Sequence, residues 1–522
     1  MAYYGLSFIL IVAAFLVHKI TNHVSARRFQ KAHCCKPVHK LPQRERIIGW
    51  DMYKFQVKSA KEKRRLKAGY DRYKENGNTY VLSMMGFDFF NTIEPENLKT
   101  LLAVNFKDYD LGARRGAFSP LLGDGIFTTD GAQWEHSRAL VRPNFNKSQV
   151  ADLNIFEKHI QVLLSQIPRD GSTFDLQSLF FKLTLDTATE FLFGKSVHSL
   201  TSIEGSEQQK FGAAFDLGQI KLEVRFTMGK LSNWMCDSEF DEACKTVHSF
   251  VDKIVYEALS KIDAKEEKAV EGHGPGRYVF LTEMVKASRD PKQLRDELLN
   301  ILLAGRDTTA SLLSNTFHIL ARRPDIWEKL KAEVDELHGE RPDYETMKGM
   351  KYIKYVLNEC KCLSLSSSIM ASLTTGLKAL RLYPVVPSNA RFSRRDTVLP
   401  VGGGPDRTSP IFIPKGSAVA WSTYSMHRRT DIFGPDAEEF RPERWAPEEG
   451  LRPGWGYLPF NGGPRICVGQ QFALAEASYT IIRLLQEFDR ILDRDGTEWK
   501  EQFALTACSA KGVQVGMIPR RM

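Results

Sequence analysis

The chain has 522 residues, 43% of them hydrophobic and 11% aromatic, and a net charge of +9. That is enough apolar material for a large core, and no repeat period or long low-complexity tract divides it. A repeat array and a disordered chain are therefore excluded, and one large domain behind an N-terminal segment is expected. The basic residues are too dispersed for a nucleic-acid surface, though the mild positive excess suits acidic partners or lipid head groups. The eight cysteines, Cys34, Cys35, Cys236, Cys244, Cys360, Cys362, Cys467 and Cys508, form no metal-ligand or disulfide spacing, which points to a reducing compartment.

Ala2 to Val17 carries no charge. With His18 it makes about 17 residues, roughly 26 Å of helix at ~1.5 Å each, close to the thin endoplasmic reticulum bilayer. Lys19, Arg27, Arg28 and Lys31 follow it and no basic residue precedes it, so the positive-inside rule puts the rest of the chain in the cytosol. Val24-Ser25-Ala26 resembles the cleavage site of a secretory signal, a reading weakened by the missing basic flank. The expectation is a retained single-pass transmembrane helix over residues 1–20, a linker over 21–48 stiffened by Pro37 and Pro42, and a single domain over 49–522.

A basic amphipathic helix is predicted from Lys58 to Tyr73, with Lys61-Glu62-Lys63-Arg64-Arg65 as its solvated face, then a β stretch from Tyr80 to Phe90. Tyr109 to Asp130 is rich in glycine and aromatics without a period and reads as a long loop, of the kind that carries function. Phe118, Leu121, Leu122, Ile126 and Phe127 are its apolar candidates for a ligand or for ordinary packing. Trp134 and Arg138 stand at i, i+4, stacked on one helix face. Leu163, Ile167, Leu179, Leu183, Leu185 and Phe191 recur at helical spacing, so residues 150–260 form a mostly helical body, followed by a charged surface linker from Ala264 to Gly276.

Leu294 to Arg323 is predicted as one long helix whose middle reads Ala304-Gly305-Arg306-Asp307-Thr308-Thr309. A glycine and two threonines are poor helix formers, and a threonine hydroxyl bonded to the carbonyl four residues back bends a helix. The result is a groove for a diatomic ligand and a water, beside an acid–alcohol pair, Asp307 and Thr308, able to relay protons. Leu298, Ile301, Leu302 and Leu303 on its flanks argue for burial over an imperfect surface helix. Further on, residues 360–378 are dense in serine and threonine with no helical logic. Pro384 and Pro387 stop the preceding helix, Ile411–Ile413 and Ala418–Ser422 read as strands around a turn, and Phe503 to Met517 as a closing hairpin.

The chemistry concentrates in Phe460-Asn461-Gly462-Gly463-Pro464-Arg465-Ile466-Cys467-Val468-Gly469, followed at once by an apolar helical run from Gln470 to Phe488. Unpaired N–H groups and the helix dipole at that start favour a thiolate at Cys467. Gly462 and Gly463 let the backbone lie flat against something broad, and Arg465 is a fork-shaped donor suited to a carboxylate. An iron-bearing macrocycle with propionates satisfies all three, since a cysteine thiolate is a known haem ligand. A phosphatase-type loop would need an arginine after its cysteine, and Val468 to Ala473 contains none. The remaining reading is a buried structural cysteine in a turn.

The segment resembles the haem-ligand signature F-x-x-G-x-R-x-C-x-G of the cytochrome P450 monooxygenases, at Phe460, Gly463, Arg465, Cys467 and Gly469. The resemblance implies a mainly α fold with a small β region, haem b ligated by Cys467, and O2 activation by Asp307 and Thr308. It also implies propionate contacts from Trp134, Arg138, Arg391 and His427, a substrate-selecting loop over Tyr109 to Asp130, and a cavity roof at Phe211–Asp216. Leu505-Thr506 would point into the cavity. Electrons would arrive from an NADPH–cytochrome P450 reductase, and the product would be a hydroxylated lipophilic substrate. Leu303–Ala310, Gly402-Gly403-Gly404-Pro405-Asp406 and Pro464–Cys467 look most like the fungal branch that hydroxylates n-alkanes and fatty acids. On that view Arg114 or Arg115 binds a fatty carboxylate or is solvated surface charge. The family also requires E-x-x-R on one helix, completed by a downstream arginine. Here Glu359 and Arg381 are the flanking members and Arg444 the third, but residues 360–378 separate the pair.

Those residues read either as an unspliced intron translated in frame or as a genuine insertion. Cys360-Lys361-Cys362 can be encoded T-GTAAGT-GT and Lys378-Ala379 as AAA-GCN, and splicing there leaves Asn-Glu-Ser-Leu-Arg. Three alternatives to the monooxygenase stand beside it: a haem-thiolate isomerase or peroxygenase, an inactive haem binder disabled by the insertion, and a membrane-anchored interaction protein without haem.

Overall fold

The computed structural model describes residues 2–45, 47–146, 152–266, 279–359, 381–503 and 505–520. The core is built around the helix Pro291–Leu320, which runs unbroken through the predicted groove. Asp290 caps it by accepting the Lys292 N–H at 2.9 Å, and Pro291 takes the first position, where no N–H is needed. It is buried nearly all round, with Leu294, Leu298, Leu302, Leu313 and Phe317 fully enclosed, as expected for an apolar helix at the centre of a large domain. Helices Leu176–Phe193, Ser238–Glu266 and Gln470–Glu487 pack against it.

The β part is small. Its largest sheet orders the strands Thr79–Met84, Phe87–Thr92, Ala418–Ser422, Ser388–Ser393 and Tyr109–Asp110, with only the second and third running parallel. Arg391 therefore comes from an interior strand, paired with Val419. The mainly α fold with a small β region is as expected from the sequence.

Among the described residues no helix is long and apolar enough to cross a membrane. Several local expectations are corrected. The first helix spans Ala2–Ala32, so much of the expected linker is helical, and beyond it Val38 bridges Gly403 while Lys40 bridges Val81. The basic helix is two helices, Trp50–Lys61 and Arg65–Asn76, broken where Lys63 adopts φ 54°. The loop after Tyr109 contains a helix, Arg114–Leu122. The closing hairpin is Glu501–Phe503 with Ala507–Ser509, and Gln514–Pro519 instead joins Phe488–Asp493. The segment 360–378 lies outside the described residues.

Candidate active site

A cavity of about 2100 Å³ opens beside the central helix, several times the volume of an ordinary small-molecule pocket. Cys467 is the one cysteine among its lining residues. Its loop is fixed by the Cys467 N–H donating to the Phe460 carbonyl at 3.0 Å and the Ile466 N–H to that of Gly463 at 3.0 Å. Phe460 and Gly469 also face the cavity, whereas Gly462 and Gly463 do not. Their glycines serve the protein's own packing: a Cβ on Gly463, at φ +67°, would lie 1.8 Å from the Leu102 carbonyl oxygen, and one on Gly462 2.6 Å from the Trp455 ring.

The expected thiolate is not supplied by the helix start alone. The Cys467 side chain is exposed to the cavity but enclosed by protein, and burial pushes its thiol above the usual value. The Gly469 N–H and the nearby Arg138 offset this only in part. A bound cation at the sulfur would reverse the balance.

Four of the six arginines that line the same cavity feel one another's charge: Arg114, Arg138, Arg391 and Arg465. Arg465 donates to Asp130 at 2.7 Å and to the Thr129 carbonyl at 2.9 Å, and lies 4.3 Å from the Trp134 ring. Arg138 donates to the Ile466 carbonyl at 3.0 Å. Arg114 and Arg391 share the Asn389 amide oxygen, at 2.7 and 3.1 Å. Of these four only Arg465 has a carboxylate within 4.0 Å among the described residues. Burial lowers Arg114 and Arg465 to about 10, and burial with repulsion from Arg114 and Arg465 takes Arg391 well below the ordinary value. A site with this much uncompensated positive charge calls for an anionic occupant.

On the central helix the Thr308 hydroxyl donates to the Ala304 carbonyl at 2.6 Å, the back-bond expected from the sequence. Gly305 leaves the wall open, since a Cβ there would meet only Ala188 at 3.8 Å. Asp307 is buried and lines the cavity with Thr308. Burial lifts its carboxyl to about 6, held from rising further by Arg306 at 3.2 Å. Arg306 also pairs with Asp216, and that link is what Phe211–Asp216 contributes. The cavity roof itself comes from Glu223, Phe226 and Met228 on the same helix, Glu207–Met228.

Away from the cavity, Glu359 accepts from Arg381 at 2.7 and 2.9 Å, from Arg444 at 2.8 Å and from the Trp445 indole at 2.8 Å. The Arg381 N–H donates to the Glu359 carbonyl at 3.1 Å, so residues 22 apart in sequence meet as near neighbours. Glu359 follows the last residue of the helix Lys351–Asn358 instead of lying within it.

The family model described as "Cytochrome P450" matches residues 50–361 and 378–515. The chain belongs to the cytochrome P450 family. Among curated relatives it is 45% identical over 459 residues to "Cytochrome P450 52A12" of Debaryomyces hansenii, covering 84% of each chain. It is 43% identical over 487 residues to "Cytochrome P450 monooxygenase himC" of Aspergillus japonicus, covering 92% of this chain and 83% of the other. The solved cytochrome P450DA heme domain, at 20% identity, shares the fold with a TM-score of 0.75 over 93% of this chain and 99% of that one. The break in the family match leaves residues 362–377 without a counterpart, inside the segment singled out from the sequence.

This cytochrome P450 is thus a monooxygenase of the haem-thiolate type, and its residues fit the cofactor. Cys467 offers the sulfur, and the arginines, with Trp134 beside them, offer the positive surface for two propionates. The structure does not bring His427 to the cavity wall: it is fully enclosed and accepts the Leu458 N–H at 2.9 Å. Of the loop candidates Phe118, Ile126 and Phe127 face the cavity, while Leu121 and Leu122 are core; Leu505 and Thr506 face it as expected. Arg115 is a surface residue paired with Asp124 at 2.8 Å. Arg114, its neighbour, is the cavity residue that sequence reasoning left undecided, and the local sequence holds no signal of Asn389, 275 positions away.

Proposed function

We propose that this P450 is a membrane-anchored enzyme of the endoplasmic reticulum that hydroxylates a C–H bond of an n-alkane or fatty acid. O2 and electrons from an NADPH–cytochrome P450 reductase complete the reaction. The observation that carries this reading is the single cavity shared by the Cys467 sulfur, Thr308 and a predominantly hydrocarbon lining, with Phe118, Phe127, Leu303, Leu312, Val385 and Leu505 along it. The catalytic domain would face the cytosol. The uncharged N-terminal stretch supports attachment to lipid, as do the exposed side chains of Ile47, Ile48 and Trp50 beyond it.

Bound haem supplies redox activation of O2, with electron density pushed from the Cys467 thiolate. The chain's own part is positioning and proton handling. Thr308 spends its hydroxyl proton on the Ala304 carbonyl, which leaves its oxygen free to accept a hydrogen bond from water in the cavity. Asp307, with its carboxyl near pH 6, can take and return protons at close to neutral pH. Apolar walls exclude bulk water and strengthen each polar contact inside.

The test is a reduced carbon-monoxide difference spectrum with product analysis. A thiolate-type band is expected in the native protein and none in Cys467→Ala. Hydroxylated hydrocarbon should form only with NADPH and reductase, and Thr308→Ala should lower its yield by about a hundredfold. Turnover indifferent to Thr308→Ala and to NADPH would replace this reading with a peroxygenase or isomerase.

A further inference from the structure

The cavity has two more guanidinium groups remote in sequence from the cysteine loop, Arg65 and Arg72. Arg72, on the helix Arg65–Asn76, is part-buried in the cavity wall together with Trp50, Tyr53, Gln56 and Leu82. Its partners are all neutral. It donates to the Ala68 carbonyl at 3.3 Å and to the Met52 sulfur at 3.3 Å, and lies over the Phe55 ring at 5.3 Å. With the Gln56 amide turned so that its oxygen faces the guanidinium, that oxygen accepts at 3.1 and 3.3 Å. The buried phenols Tyr73 and Tyr80 feel its charge, and both line the cavity.

No carboxylate lies within 4.0 Å of Arg72 among the described residues. The nearby Arg65, by contrast, is paired with Glu223 at 3.1 Å. A guanidinium whose partners are two amide oxygens, a thioether and a phenyl ring keeps its charge unpaired, and a planar anion can displace the thioether and the Gln56 amide to make a bidentate bond. Arg72 sits on the helix Arg65–Asn76, whereas Arg391 and Arg465 come from the strand Ser388–Ser393 and the cysteine loop.

We infer that Arg72 is the head-group subsite for an anionic amphiphile: it holds the carboxylate of a long-chain fatty acid whose tail runs down the hydrocarbon walls toward Cys467. This rests on the alkane or fatty-acid reading above and sharpens it. A carboxylate fixed at Arg72 presents the far end of the chain, not its middle, to the reacting site. The fatty acid is then preferred over its uncharged analogues of the same length.

The experiment uses the full-length, haem-loaded protein, with hexadecanoic acid, its methyl ester and hexadecane as probes. Dissociation constants are measured by calorimetric titration and the position of hydroxylation by product analysis. Arg72→Gln should weaken the acid by about tenfold, the usual worth of a hydrogen bond to a charged group. The ester and alkane should stay within about twofold, Arg72→Lys should recover part of the loss, and the acid should be hydroxylated less selectively at its far end in Arg72→Gln. Equal weakening of all three probes, or an unchanged affinity for the acid, overturns the assignment while leaving the broader reading intact. Failure of the native protein to bind any of the three overturns both.

Discussion

Arg381, Arg444 and Arg391 are buried to nearly the same degree, at 0, 1 and 4% exposure, yet their surroundings are opposite. Around Glu359 every charge is answered. Burial works to lower Arg444, but Glu359 and Asp436 more than reverse it, and the Trp445 N–H takes up the second carboxylate oxygen. Around Arg391 burial, with repulsion from Arg114 and Arg465 that Asp130 offsets only in part, drives the guanidinium well below its ordinary value. A buried charge that its own chain satisfies is architecture; one left in excess marks the place of something the chain does not encode.

Removing the centre of the first cluster should have the largest effect. Glu359→Ala strands two buried guanidinium groups and is expected to cost about 3–5 kcal/mol in denaturant unfolding. A loss no larger than that of a surface substitution would break the contrast. Glu476 gives an intermediate case, a buried carboxyl with no cation within 4.0 Å among the described residues. Burial lifts it to about 8, with Thr187 and Thr309 offsetting only part. Because the folded protein keeps that proton while the unfolded chain releases it near pH 4.5, the contribution is full below that pH and is lost as pH rises through about 8. Relative to Glu476→Gln, the native protein should lose about 4 kcal/mol between pH 5 and 9. Parallel pH–stability curves for the two proteins would remove Glu476 from the comparison.

The remaining predictions sharpen the contrast from the smaller end. Replacing residues 360–379 by one serine should leave the Glu359–Arg381 pair in place. It should raise stability by about 1–2 kcal/mol, the entropy of closing a shorter loop. A variant that unfolds would show that the segment contributes contacts of its own. Arg391→Gln should change the stability of the haem-free protein by less than about 1 kcal/mol, since it relieves repulsion while losing hydrogen bonds, yet speed haem loss measurably. A large loss of stability without faster haem loss would make Arg391 architectural, like Arg381.

Local sequence carried a good part of the site. The helix through Thr308, with its back-bond to Ala304, followed from composition over a few turns, because a helix bond spans four residues. Cys467, Arg465 and the helix from Gln470 were legible for the same reason. The purpose of Gly463 was not legible, because the Leu102 carbonyl that it must clear is far away along the chain.

The sequence by itself therefore determined the mainly helical body, the sulfur and the acid–alcohol pair, all set by spacing within one element. Only the tertiary structure decided which arginines share the cavity, that His427 turns into the core, that burial opposes the thiolate at Cys467, and that Glu359 and Arg381 meet across the intervening segment. Those outcomes depend on burial and on partners tens to hundreds of positions apart. Desolvation and long-range pairing are properties of the packed chain, and no window of residues contains them.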